Sequence, residues 1–356
     1  MKVGLIFGKF APLTAGHVNF IRMAVESGID RLYLFLSFDQ KFNNTQTPWM
    51  QERLGLSQRL WDLKALIEDS GLTKKVIVDY VDESDIPGYP EGGKAYAELI
   101  RAKIPEGEVL THAFSSEPEY TAYFSEYFPE VEHVVLDAER TGVDISATRI
   151  RNNLRDNFQY LSEQAKPRFV KRVAIIGVES TGKSTMTERL AHHYATTSTP
   201  EIGRDICEEL FCGSEFLMDR EAYLKVAMAH RLEEHMHSNE AYVVHISDTT
   251  NLITHFSGIC AGKLYWNDHM FRALSREEAN TFYDLVLFLS PEVEWVEDPL
   301  RLQNTPRKRL DTHNLLDIMV AEHYVGRVPV VHITGTDYED RINQAIKAID
   351  KLLAEG

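Results

Sequence analysis

Cysteine is scarce in this chain. Cys207, Cys212 and Cys260 are its three cysteines in 356 residues, and they fit neither a disulfide framework nor the close-paired spacing of a zinc site. Positive charge is also in deficit, with 38 Lys and Arg against 54 Asp and Glu and a formal net charge of −16. Such a balance excludes a protein that coats a nucleic-acid backbone, which would present a basic face. Local cations can still hold a small anionic substrate. No run of 18 apolar residues occurs, so no helical membrane span is expected. The first residues, Met1-Lys2-Val3-Gly4-Leu5-Ile6-Phe7, lack the apolar stretch and cleavage site of a secretory signal, and a cytoplasmic location is expected. Internal repeats and low-complexity tracts are missing as well.

What is present is ordinary globular composition, 44% apolar and 26% charged, in a chain long enough for two α/β domains. Short apolar runs alternate with stretches of helical period, the pattern of a parallel sheet covered by helices. Strands are predicted at 2–7, 31–37, 75–81, 109–114 and 133–136, with helices at 17–27 and 51–69 among them. A second series has strands at 172–177, 242–246, 285–289 and 328–333 and a closing helix at 340–353. The polar stretch 156–171 reads as the join, giving domains 1–168 and 169–356. His230, His235 and His237 fall in one helical stretch; they read as a solvated face, with metal binding the lesser alternative.

Gly177-Val178-Glu179-Ser180-Thr181-Gly182-Lys183-Ser184 is a complete G-x-x-x-x-G-K-[ST] match between an apolar strand and a helix starting near Thr185. Glycines allow backbone amides to turn onto phosphate oxygens, and the helix adds its positive end. Lys183 is expected to reach the β- and γ-phosphates and Ser184 to ligate Mg²⁺. Asp248, after an apolar strand, is the candidate second metal-side group; a loop-capping role beside Thr249 and Thr250 is the alternative. Arg301, Arg307, Lys308 and Arg309 form a candidate cationic lid over the phosphates.

The first strand runs into Gly8-Lys9-Phe10-Ala11-Pro12-Leu13-Thr14-Ala15-Gly16-His17, which is no dinucleotide fingerprint because Gly-x-Gly-x-x-Gly is absent. It resembles the nucleotidylyltransferase signature G-x-F-x-P-x-[HT]-x-G-H, and Ile145-Ser146-Ala147-Thr148-Arg149-Ile150-Arg151 resembles the same superfamily's I-S-[ST]-T-x-[IV]-R. Adenylyl transfer is an in-line displacement at the α-phosphorus, so positioning and electrostatics suffice and no protein nucleophile is needed. His17 and Thr14 are expected to donate to phosphate oxygens, with Lys9 as a further cation. Ser146, Thr148 and Arg151 are expected to hold the β- and γ-phosphates.

Taken together, the chain resembles the bifunctional NadR-type enzymes, which join a nicotinamide-mononucleotide (NMN) adenylyltransferase to a ribosylnicotinamide kinase. The likeness runs over essentially the whole length and includes segments around Tyr89, Ser115 and Glu117, Arg140, Glu201 and Arg204, Asp248, and 294–301. It implies a Rossmann-like nucleotidylyltransferase sheet followed by a P-loop kinase sheet. It also implies ATP, NMN and nicotinamide riboside as substrates, NAD as product and Mg²⁺ in both steps. Tyr89, Ser115, Glu117, Arg140, Glu201, Arg204 and Trp295 become substrate-side candidates, with Tyr96 a further aromatic for the cationic ring. Glu201 and Asp248 are the candidates for kinase base. Thr14 departs from the histidine often found at that position. No DNA-binding segment precedes the first motif, so no DNA contact is expected. A homo-oligomer is left open. So are two other readings: a P-loop domain that senses nucleotide without phosphorylating, and a first domain serving another phosphate ester.

Overall fold

In the computed structural model, residues 1–139, 141–294 and 306–355 are described. The chain divides into two compact units, Met1–Phe169 and Val170–Glu355.

The first unit holds β1 (Val3–Gly8), β2 (Arg31–Phe38), β3 (Val76–Asp82), β4 (His112–Ser115) and β5 (Glu132–Val135). They form one parallel sheet in the order β3-β2-β1-β4-β5. The chain reverses direction across the sheet between β1 and β4, and a parallel sheet opens its ligand crevice at such a switch point. Val3, Leu5, Tyr33, Phe35 and Phe124 make the core of one face.

The second unit holds β6 (Lys171–Gly177), β7 (Ser198–Thr199), β8 (Val244–Asp248), β9 (Leu285–Leu289) and β10 (Val330–Ile333). These are also parallel, in the order β10-β9-β6-β8-β7, with the P-loop strand central. All five residues of β9 and of β8 are buried, as expected for strands covered on both faces. Among the described residues no helix is long and apolar enough to cross a membrane.

Three differences from the sequence reading have local causes. The single helix expected over 51–69 is two, Pro48–Arg53 and Leu56–Asp69. Gly55 between them has ψ 160°, outside the helical range, and caps the second helix without a side chain. Asp248 is the last residue of β8 and not a loop residue. The stretch 156–171 is no polar join. Phe158, Leu161, Ala165, Phe169 and Val170 are buried, and Lys171 already belongs to β6.

Candidate functional site

Each sheet ends its central strand in a glycine-bearing turn that leads into a helix. In the first unit β1 stops at Gly8, and the helix Ala15–Glu26 starts from Thr14 as N-cap. Thr14 and His17 form a reciprocal capping box. The Thr14 hydroxyl accepts from the His17 amide at 3.2 Å, and the Thr14 amide donates to Nδ1 of His17 at 3.1 Å. A ring nitrogen that accepts carries no proton, so the neutral imidazole keeps its hydrogen on Nε2. His17 is therefore preset as a donor.

The loop between strand and helix is held by its carbonyls. Phe10 has a φ of 44°, a left-handed conformation costly for an aromatic residue. Arg59 donates to the Lys9 carbonyl at 2.7 Å, Arg151 donates to that of Ala11, and the Ser162 amide donates to that of Leu13 at 3.1 Å. Leu161 adds an antiparallel bridge to Thr14. Arg59 is buried, and burial, with Arg151 second, pushes its pKa down to about 10. Its Nε and Nη2 have no hydrogen-bond partner. The approach is close at Gly16: a Cβ there would sit 3.3 Å from Cγ2 of Ile145, which opens the second motif.

A cavity of about 310 Å³ joins Gly8, Lys9, Phe10, Thr14, Gly16 and His17 from the first motif to Ser146 and Thr148 from the second. Ser115 and Glu117 also line it. Ser146 caps the helix Ala147–Asn152, accepting from the Arg149 amide at 3.1 Å. Arg151 does not line this cavity; besides the Ala11 carbonyl it bonds the Thr148 hydroxyl at 2.9 Å. Ser115 donates to the Glu117 carbonyl at 2.9 Å and lies 2.8 Å from Nε2 of His133.

A second cavity of about 340 Å³ shares Phe7, Gly8, Lys9, Glu117 and Tyr120 with the first. Phe7, Tyr89, Tyr96, Tyr120 and Tyr123 give it aromatic walls, and Glu83 lines it too. Lys9 lies 3.4 Å from Asp39 and 3.8 Å from Glu83. Burial raises the Glu83 carboxyl above its ordinary range, and Lys9 partly offsets this. Aromatic faces with carboxylates nearby suit a flat cationic ring. Arg140 lies outside the described residues.

In the second unit β6 ends at Gly177, and the helix Lys183–His193 is capped by Gly182 at φ 84°. A Cβ on Gly182 would come 2.8 Å from the Tyr338 ring, whose hydroxyl donates to the Gly182 carbonyl at 2.9 Å. Ser180, at φ 59°, is a left-handed residue other than glycine. The turn is braced from outside. Arg341, fully buried, donates to the carbonyls of Thr181 (3.3 Å), Ser290 (3.1 Å) and Gly335 (3.3 Å). Thr181 donates to the Val178 carbonyl at 2.8 Å, and Lys183 Nζ reaches the same atom at 3.3 Å.

A cavity of about 310 Å³ is lined by every residue from Glu179 to Thr185 and by Glu201 and Arg204, whose charged ends lie 3.8 Å apart. Glu215 lines it too; burial, then Glu179 and Glu201, push its carboxyl up to about 7. Asp248 is 1% exposed. Burial raises its pKa, while Lys183 and a hydrogen bond from Ser184 lower it. Its Oδ1 has no hydrogen-bond partner. A hydroxyl and an orphaned carboxylate oxygen side by side are a hard-oxygen pair suited to Mg²⁺. Among the described residues no three His, Cys, Asp or Glu side chains converge as a metal cage, so such an ion would draw its other ligands from phosphate and water.

Three expectations about this unit are revised or lie outside the description. Arg309 is not an open lid cation: it is 4% exposed and donates to the carbonyls of Pro291, Val293 and Ser180. Arg301 and Trp295 lie outside the described residues. His230 is not on a solvated face: it is 2% exposed, 3.3 Å from the buried Glu234, and lines the cavity. His235, by contrast, is exposed.

Residues 172–341 match a family described as an AAA domain. Two trifunctional NAD biosynthesis/regulator proteins called NadR, from Salmonella typhimurium and Escherichia coli, are each 29% identical to this chain over 99% of it and 84% of their own length. Two crystal structures of NadR share the fold. One, in complex with NR, has a TM-score of 0.76; the other, with NAD and AMP-PNP, has 0.77. Both are 22% identical and cover 99% of this chain and 96% of theirs. This chain is thus similar to the NadR proteins in sequence over 99% of its length and shares the fold of the NadR structures across both units.

Proposed function

We propose that this is a two-site NAD salvage enzyme. Residues 169–356 phosphorylate nicotinamide riboside with ATP to give NMN. Residues 1–168 then transfer AMP from a second ATP to NMN, releasing NAD and pyrophosphate. The observation that carries the reading is the pair of cradles: one turn of backbone amides and cations at the end of β1 and another at the end of β6, in separate units. The similar NadR structures, one in complex with NR and another with NAD and AMP-PNP, support this choice of substrates.

In the first unit Nε2–H of His17 donates to an oxygen on the α-phosphate, where charge grows as the acceptor phosphate attacks. The start of the Ala15–Glu26 helix adds its positive end. Ser146 and Thr148 hold the leaving pyrophosphate, and Lys9 and Arg151 neutralise it. The nicotinamide ring of NMN lies in the aromatic cavity near Tyr89 and Tyr96, with Glu117 between the cavities, Ser115 in the first, and Arg140 as a further substrate contact.

In the second unit amides from Glu179 to Thr185 hold the β-phosphate and Lys183 bridges β and γ. Ser184 and Asp248 would hold Mg²⁺, which would spread the charge of the transferring phosphoryl group. Glu201 accepts the proton of the riboside hydroxyl and Arg204 orients the sugar, with Trp295 on the ring and Arg301 on the phosphates. On the net charge of −16 we assign these residues no DNA contact, which a gel shift at stated salt tests.

Incubation with ATP, Mg²⁺ and nicotinamide riboside, followed by chromatography, tests the whole reading. NAD is the expected product. Accumulation of NMN alone removes the first-unit assignment, and NAD formed only from added NMN removes the second.

A further inference from the structure

The helix Arg220–Asn239 carries three polar residues on its buried face, His230, Glu234 and Ser238, each four positions from the last. Polar groups are rarely retained at core positions without partners to justify them. Glu234 is completely buried, and one of its oxygens, Oε1, gathers three groups: the Ser247 hydroxyl at 2.5 Å, the Tyr283 hydroxyl, and Nε2 of His230 at 3.3 Å. Nε2 of His230 also lies 3.5 Å from the Ser247 hydroxyl.

Ser247 and Thr249 flank Asp248. Thr249 has a φ of 75°, a left-handed conformation that a β-branched residue adopts only when held there. Its amide donates to the Ile175 carbonyl on β6 at 3.0 Å. The turn that aims Asp248 is thus fixed on one side through Ser247 to Glu234 and His230 and on the other through Thr249 to Ile175. Charged groups acting on this assembly are Glu234 and Glu278 on His230, and Lys183, Glu201 and His230 on Asp248.

We propose that His230 and Glu234 are positioning residues that hold the Ser247–Thr249 turn so that the Asp248 carboxylate meets Ser184 in the geometry an ATP-bound divalent cation requires. The proposal rests on the reading of the second unit as an ATP·Mg²⁺ site and goes beyond it by giving the buried pair a role. Neither residue needs to touch nucleotide. Their effect is on how well the metal-dependent part of binding is organised, and groups at this remove from a metal typically matter by about 10–100-fold in its affinity.

The test is equilibrium binding of a fluorescent ATP analogue to the full chain, in Mg²⁺ and again in EDTA, for wild type and for His230→Ala, His230→Asn and His230→Gln. Thermal melting is measured alongside. His230→Ala is expected to weaken binding about tenfold in Mg²⁺ and to leave binding in EDTA unchanged. His230→Gln, whose amide nitrogen can replace Nε2 beside Glu234 and Ser247, is expected to recover most of the loss. His230→Asn, which matches Nδ1 instead, is expected to recover little. Equal weakening with and without Mg²⁺ would reduce the pair to packing and overturn the proposal, as would Asn rescuing better than Gln. Should His230→Ala not fold, the Asn and Gln arms decide alone. Wild type that binds the analogue equally well in EDTA and Mg²⁺ would sink the ATP·Mg²⁺ reading itself, and the proposal with it.

Discussion

The backbone amide of Thr14 points at Nδ1 of His17 from 3.1 Å, three residues earlier in the same helix cap. One hydrogen bond thereby starts a helix and selects the tautomer of a ring that lines the first unit's cavity. Because the donor is a main-chain group, this control survives whatever side chain stands at position 14. We therefore expect Thr14→Ala to cost about 1 kcal/mol of stability, the usual value of an N-cap, and to reduce adenylyl transfer only modestly. His17→Ala should lower its kcat by about 10²–10³-fold while riboside phosphorylation continues. Steady-state rates of both half-reactions, assayed separately, check this.

Lys183→Ala should produce the opposite split. Its ammonium sits at the mouth of the second cradle, 3.3 Å from the Val178 carbonyl. Removing it should abolish phosphorylation of the riboside and leave NMN adenylylation within a factor of about two, because sites that share no partners act independently. Loss of both activities in a protein that still melts cooperatively would show the two cradles to be one.

Gly182→Ala tests the shape of the second turn and not its charge. The φ of 84° costs an L-residue about 1–3 kcal/mol, and the added methyl would meet the Tyr338 ring at 2.8 Å. ATP-analogue binding by the second unit should weaken sharply. Adding Tyr338→Ala relieves the clash and leaves the dihedral strain, so it should restore binding only in part; full restoration would show the strain to be unimportant.

Glu278 offers a pH test. It is fully buried, accepts from the amides of Asn251 and Leu252 at 3.2 Å, and has its carboxyl pushed up to about 8, first by burial and then by Glu234. In an unfolded chain such a group titrates near about 4.3. The folded state therefore keeps the proton longer. Its contribution is complete below the unfolded value and is lost as pH rises through about 8. Glu278→Gln removes this titration, so its Tm should decline less than that of wild type between pH 5 and 9. Parallel melting profiles would contradict the assignment.

The strands and both phosphate turns were legible because each depends on local pattern. Runs such as Leu285–Leu289 have no polar interruption, and a glycine-bearing turn follows β1 and β6 at fixed spacing. What escaped notice was charge placed where apolar residues belong. Arg59 lies on the same helix face as Leu63, Leu66 and Ile67, and Arg341 on that of Ala345 and Ile349. Glu234 follows His230 at helical spacing. Each is a break in an apolar stripe, a readable signal, but its partner is a carbonyl or hydroxyl distant in sequence that no local pattern names. The two-residue β7 is too short to carry a pattern at all. The helix break at Gly55 was visible as a glycine, yet apolar periodicity on either side masked it.

The bridge between Leu161 and Thr14 bears on how the adenylyl-transfer unit could be isolated. Both of its signatures are complete by Arg151, and a gene cut just beyond that codon would encode every motif residue. The resulting fragment would nevertheless lack the strap that clasps residues 13 and 14 from behind. A minimal autonomous enzyme has to extend through Phe169, and one trimmed to its recognisable motifs should lose turnover before it loses its sheet.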